Sequence, residues 1–137
     1  MPKAVFPFEE SRSKIFGKIH RPIAEVGFWS NRLDDWLKIT LIIDTGADYT
    51  ILPLFYADYL GVNLRKDCKA HTTSGIGGHE KVFLLRDALI RLGSWECRIP
   101  VGFISNPNIP PLLGRQKCIE AFSLTLSKHR SIFFKSR

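Results

Sequence analysis

Residues 41–53 read LIIDTGADYTILP, an aliphatic run broken by Asp-Thr-Gly-Ala-Asp. The aliphatic part alone predicts a buried strand. An ionised carboxylate is costly to bury without a partner, so Asp44 at the end of that run marks either a turn or a site. Upstream, Leu37, Ile39, Leu41 and Ile43 alternate with other residues, and so do Ala24, Val26 and Phe28 before a polar bend at Ser30 to Asp35. Period-two alternation predicts strands, which gives strand, loop, strand with Asp44 closing the second one. Downstream, Pro53 suits the first turn of a helix and Gly61 the residue past its end. They predict a short helix from Pro53 to Leu60, with Phe55, Tyr56, Tyr59 and Leu60 turned inward.

Strand signals then pause until Ala88, Ile90 and Leu92. Gly93-Ser94 makes a two-residue turn, and Trp95, Cys97, Ile99, Val101 and Phe103 keep period two, the clearest hairpin in the chain. Asn106 to Pro111 is a proline-rich loop and Arg115 to Phe122 a short helix. Phe122 to Leu126 with Ser131 to Lys135 form a final hairpin turning near His129. The pattern is that of an all-β domain with one or two short helices.

A chain of 137 residues, 45% apolar and 12% aromatic, is long enough for one globular domain with a real core. Its longest apolar runs are far short of a membrane span. Lys3 followed by Glu9 and Glu10 lacks the basic, apolar, small-residue order of a signal peptide, so a soluble cytoplasmic protein with no membrane partner is expected. Cys68, Cys97 and Cys118 form no C-x-x-C pair and suit small buried residues in a reducing compartment. His20, His71, His79 and His129 are scattered without ligand spacing, so no metal site is expected. The net charge of +7 is dispersed, densest at Arg12 to Lys18 and Lys128 to Arg137. No recognition helix, zinc finger or RNA-binding aromatic motif accompanies it, which predicts solvated ends rather than specific nucleic-acid binding.

The glycine-rich segment Ser74 to Lys81, SGIGGHEK, lacks the spacing of a phosphate-cradling loop, and Glu80 stands where the dinucleotide fingerprint needs a third glycine. It suits a hairpin tip, and glycines around Ile76 also suit a mobile lid. IDTGADYTIL, GIGG and PLLGR thus follow one another on a chain of short strands with a helix after the last. This resembles the retropepsin family of single-domain aspartic proteases, in register over roughly Ile23 to Leu126. The resemblance implies a small closed, barrel-like all-β fold over residues 22–137, with residues 1–21 an extension lacking a counterpart: an arm, a self-cleaved leader or an extra strand. It also implies that Asp44 is the catalytic aspartate, that Thr45 braces the two active-site loops, and that Gly46 leaves room for substrate backbone. Ala47 and Asp48 would touch the substrate edge, and Asp48 would pair with Arg115 in an ion pair supporting the subunit contact. Leu112, Leu113 and Gly114 would form the apolar loop beneath the site. Gly75, Ile76, Gly77 and Gly78 would form the flap over the peptide. Short viral members of the family end near the position of Leu126, where their termini interleave between subunits; here Ile132, Phe133 and Phe134 follow.

Peptide hydrolysis by carboxylates needs one group to take a proton from water and another to polarise the carbonyl and protonate the leaving amine. Two aspartates in contact share one proton and titrate as a pair. Only one Asp-Thr-Gly is present, so the second acid must come from a second copy, and a symmetric homodimer is expected. Asp34 and Asp35 are the internal alternative, but they lie in the polar bend and read as solvated turn residues. The expected activity is that of an aspartic endopeptidase on extended polypeptides, with no metal or organic cofactor implied. The alternatives are an idle peptide-binding or dimerisation module of the same fold, or a basic nucleic-acid-binding protein.

Overall fold

The computed structural model describes residues 2–75 and 78–135. Its body is built on the two strands read around the polar bend: β4 (Ile23–Ser30) and β5 (Asp35–Ile43) run antiparallel from Ile23 opposite Ile42 to Ser30 opposite Asp35. Ala24, Val26, Phe28, Ile39, Leu41 and Ile43 are buried, so period two delivers one face of each strand to the core. The bend is tied down by Ser30, whose buried hydroxyl donates to the Tyr59 carbonyl (2.6 Å) and accepts from Leu33 N–H (3.0 Å).

Three strands precede this pair: β1 (Lys3–Pro7), β2 (Glu9–Ser13) and β3 (Gly17–Arg21). After it come β6 (Thr50–Pro53), helix α1 (Phe55–Tyr59) and helix α2 (Leu64–Asp67). Pro53 therefore ends a strand rather than opening a helix, a place where its missing N–H costs little. The five-residue α1 turns Ala57 inward, with Leu60 just beyond it. Phe55 and Tyr59, expected inside, are 58% and 50% exposed, and Tyr56 is half-buried. So short a helix has only one inward row.

Strand β7 (Cys68–Gly75) and the fifteen-residue β8 (Gly78–Leu92) form a long hairpin, and β9 (Trp95–Ile104) returns along β8. The short β10 (Leu112–Leu113) lies between β5, to which it is parallel, and β6, to which it is antiparallel. The sheet order is β4-β5-β10-β6-β9-β8-β7, and β4 also pairs with β8 through Gly27 opposite Arg91 and Phe28 opposite Ile90. That pairing closes six strands into a ring with β7 outside it, the barrel-like all-β architecture of a retropepsin. Phe28, Leu41, Leu52, Ile90, Ile99, Val101, Phe103 and Leu113 fill it.

Arg115 to Phe122, expected to be a helix, holds turns and a single 3-10 turn at Ile119–Ala121. The chain ends in β11 (Ser123–Ser127) and β12 (Arg130–Phe134), joined by Lys128 and His129, both at positive φ as a two-residue hairpin turn requires. Strand β1 pairs with the other side of β12, giving a three-stranded sheet. Buried Phe133 joins that sheet to the core cluster and makes edge contacts with Phe6 and Phe122.

Candidate active site

Asp44 is the first residue after β5. Its N–H donates to the Leu113 carbonyl (3.0 Å), carrying the parallel β5–β10 ladder one step past Ile43, where the chain turns. The turn is stabilised by the acid itself: Gly46 N–H donates to Asp44 Oδ1 (2.9 Å) and Ala47 N–H to the Asp44 carbonyl (3.1 Å). A Cβ at Gly46 would lie 3.3 Å from that carboxylate oxygen, so glycine keeps the turn open beside the acid. Asp44 is half-buried, while Thr45, Gly46 and Asp48 are exposed.

The segment after β10 clasps this turn. Arg115 N–H donates to the Ala47 carbonyl (3.0 Å) and Gln116 N–H to the Asp48 carbonyl (2.9 Å). The Arg115 guanidinium bonds the Thr45 carbonyl (2.9 Å) and Asp48 Oδ1 (2.6 Å). Two residues toward the core, the buried Thr50 hydroxyl accepts from Gly114 N–H (3.1 Å). Residues 44–50 and 112–116 thus form one hydrogen-bonded unit, with Leu112 half-buried and Leu113 and Gly114 buried beneath it.

Gly114 has no alternative in this unit. An added Cβ would sit 2.2 Å from the Tyr49 carbonyl carbon and 2.7 Å from Thr50 N, both backbone atoms that cannot swing aside. Gly114→Ala is therefore expected to destabilise the domain by about 1 to 3 kcal/mol, as overpacking does in a tight interior. An unchanged denaturant midpoint would show that the clasp can spread without cost.

Sequence reading did not single out Thr50, and it named Cys118 only as one of three small buried cysteines, of which Cys118 is buried and Cys68 and Cys97 are half-buried. Thr50 reads as an ordinary β-branched strand residue, and its hydroxyl acts on a backbone group that only the fold brings near. Cys118 is buried under the clasp, its N–H donating to the Arg115 carbonyl (3.1 Å) and its thiol in contact with the Thr50 side chain. Burial pushes this thiol up to about 12, with a smaller push from Cys97 and a small opposing effect of the Thr50 hydrogen bond. The thiol is thus held in its neutral, unreactive form. In the folded protein at pH 8 iodoacetamide should label Cys68 and Cys97 well before Cys118, as peptide mass mapping would read. Labelling of Cys118 at the same rate would mean that the clasp opens freely. The same raised value implies stability that is fully present below the ordinary thiol range and is lost as pH climbs toward 12.

Of the remaining candidates, Gly75 and Gly78 stand opposite each other at the end of the β7–β8 ladder. Ile76 and Gly77 lie outside the described residues. Farther down, Asn106 Nδ2 donates to Glu80 Oε1 (3.0 Å) and Ser105 N–H to the Lys81 carbonyl (3.4 Å). Ile42 N–H donates to the Pro111 carbonyl (3.0 Å). The loop from Ser105 to Pro111 therefore joins the hairpin to the strand that carries Asp44. A cavity of about 550 Å³ bounded by Phe28, Trp29, Leu60, Asp67 and Arg98 does not include Asp44.

A closed β ring that presents Asp-Thr-Gly in a turn clasped by Leu-Leu-Gly-Arg has the retropepsin-like arrangement. Residues 31–116, well over half of the chain, match the family model described as aspartyl protease, and the chain belongs to that family. The match begins in the bend between β4 and β5 and ends at Gln116, so it spans both the Asp44 turn and the long hairpin. Comparison with curated proteins finds no match.

Proposed function

We propose that the chain is an aspartic endopeptidase acting as a symmetric homodimer, each subunit supplying one Asp44 to a shared dyad. The observation that carries this reading is the placement of Asp44: half-buried, in a turn clasped by the segment after β10, and in the only Asp-Thr-Gly of the chain. One acid per chain is half of a dyad, and a two-fold axis would supply the other half. The paired carboxylates would share one proton. The ionised member takes a proton from the attacking water while the protonated member polarises the peptide carbonyl and later protonates the leaving amine.

Substrate would lie extended across the Asp44 turns, held mainly by backbone hydrogen bonds, with the Gly75 to Gly78 end of the hairpin as a flap. The Glu80–Asn106 bond would anchor the base of that flap to the loop leading back to Asp44's strand. The test is cleavage of a mixed peptide library between mildly acidic and neutral pH, with wild type beside Asp44→Asn. Peptide binding without turnover would assign the fold to an idle module.

The dimer makes a specific demand on Arg115. In a single subunit the Arg115 and Asp48 side chains are 38% and 70% exposed, so their ion pair contributes on the order of 0 to 1 kcal/mol. Covered by a second subunit, loss of one partner costs more, because the other charge is left desolvated. Arg115→Ala should therefore raise the dimer dissociation constant about tenfold while lowering subunit stability by roughly 1 kcal/mol. Sedimentation across a dilution series reads this, and an unchanged dissociation constant would place Arg115 away from the subunit contact.

A further inference from the structure

The hairpin formed by β2 and β3 breaks two local rules within a few residues. Ile15 and Phe16 stand at its apex, 83% and 78% exposed, although turns in water favour glycine and short polar residues. The apex is a formed turn: both N–H groups donate to Ser13 Oγ (3.2 Å each) and Gly17 takes a φ of +71°. At the first full step of the ladder Arg12 stands opposite Lys18, and like charges directly opposite destabilise a strand pair. Lys14 adds a third cation beside them. Among the described residues Lys18 reaches Glu10 (3.1 Å), while Arg12 and Lys14 have no ion pair. Where local rules fail together, a function is the usual reason.

The hairpin is a two-stranded sheet of its own, fixed to the body near its base. There Phe8 N–H donates to the His129 carbonyl (2.8 Å) and the His20 ring stacks on His129 at 4.0 Å and 13°. The neighbouring β11–β12 turn carries Lys128 and Arg130, so the cations continue past the base.

We propose that this apex docks on an anionic lipid surface, Ile15 and Phe16 entering the acyl boundary while Arg12, Lys14 and Lys18 face acidic headgroups. Two side chains are too small to make a stable protein interface alone, whereas a bilayer accepts an isolated apolar tip reinforced by cations. Headgroup anions would also relieve the Arg12–Lys18 repulsion. Nucleic acid would match the cations and a base could stack on Phe16, but Ile15, as exposed as Phe16, would bury nothing there, whereas the acyl boundary takes both side chains. The association is peripheral: no helix among the described residues is long and apolar enough to cross a membrane.

The test uses the full chain, vesicles of phosphatidylcholine alone, and vesicles of an equal mixture with phosphatidylserine. Cosedimentation should occur with the mixed vesicles and not with the neutral ones. Phe16→Ser should weaken it about tenfold or more and Lys14→Gln about fivefold. Both residues are exposed, so an unchanged denaturant midpoint confirms that each variant folds. Emission of Phe16→Trp should shift to the blue on the mixed vesicles and be quenched by brominated lipid. Equal binding by wild type and Phe16→Ser, or no binding to the mixed vesicles, would overturn the proposal. Phe16-dependent self-association or RNA binding without vesicle binding would also overturn it, giving the apex to a second copy or to nucleic acid.

Discussion

Asp44→Asn is expected to reduce peptide cleavage by roughly a thousandfold or more while leaving the fold unchanged, because proton transfer by a positioned acid or base contributes on this scale. The structure explains why the two effects separate. In the turn, Asp44 Oδ1 acts as an acceptor for Gly46 N–H at 2.9 Å, and the backbone N–H and carbonyl of residue 44 hold Leu113 and Ala47. Asparagine keeps an oxygen that can accept from Gly46, and it keeps both backbone groups. It loses the capacity to exchange a proton, which is the one property that the proposed chemistry requires. Thermal or denaturant unfolding should therefore lie within about 0.5 kcal/mol of wild type, and cleavage of the peptide library should fall to background. Substantial cleavage by a mutant preparation of verified sequence and purity would remove Asp44 from the catalytic role.

The parts of this fold legible in the sequence are those with one face in the core. β4, β5, the last part of β8 and β9 bury alternate residues such as Val26, Phe28, Leu41, Ile90 and Val101, and alternation is what a reader of sequence can see. β7 was silent for the opposite reason. Lys69 to Thr73 are all exposed, so the strand is specified by its backbone ladder to β8 and not by any apolar pattern. β6 is too short to show a period, and Pro53 in it suggested a helix start. Ring closure rests on two residue pairs between strands more than sixty positions apart, which no local pattern encodes. The same division runs through the candidate site. Asp-Thr-Gly and Leu-Leu-Gly-Arg are recognisable as side-chain motifs. The Leu113 carbonyl and the Thr50 hydroxyl are not, because they act on backbone groups that meet only after the ring has closed. The N-terminal segment offers no motif at all, yet β1 completes the sheet whose Phe133 joins the core cluster.

Mixing active and inactive chains should show the second large effect. If each catalytic centre takes one Asp44 from each subunit, a dimer with a single Asp44→Asn chain has no complete dyad, and such heterodimers should be nearly inactive. After wild type and Asp44→Asn are unfolded and refolded together, symmetric pairing at random gives activity proportional to the square of the wild-type fraction, about a quarter of the total for an equal mixture. Asp44→Asn suits this experiment because it keeps the turn and the clasp, so mutant chains should pair as readily as wild type. Arg115→Ala would not serve, since a weakened subunit contact would exclude mutant chains from the dimers and hide the poisoning. Dilution supplies an independent check, because a site completed only by association loses specific activity once the concentration falls below the dissociation constant. A linear dependence on wild-type fraction, with subunit exchange demonstrated by differently tagged chains, would mean that each chain carries a complete site. The second acid would then have to lie within the same chain. Asp34 and Asp35, at the opposite end of β5 from Asp44 by register, could not supply it without a rearrangement of the ring.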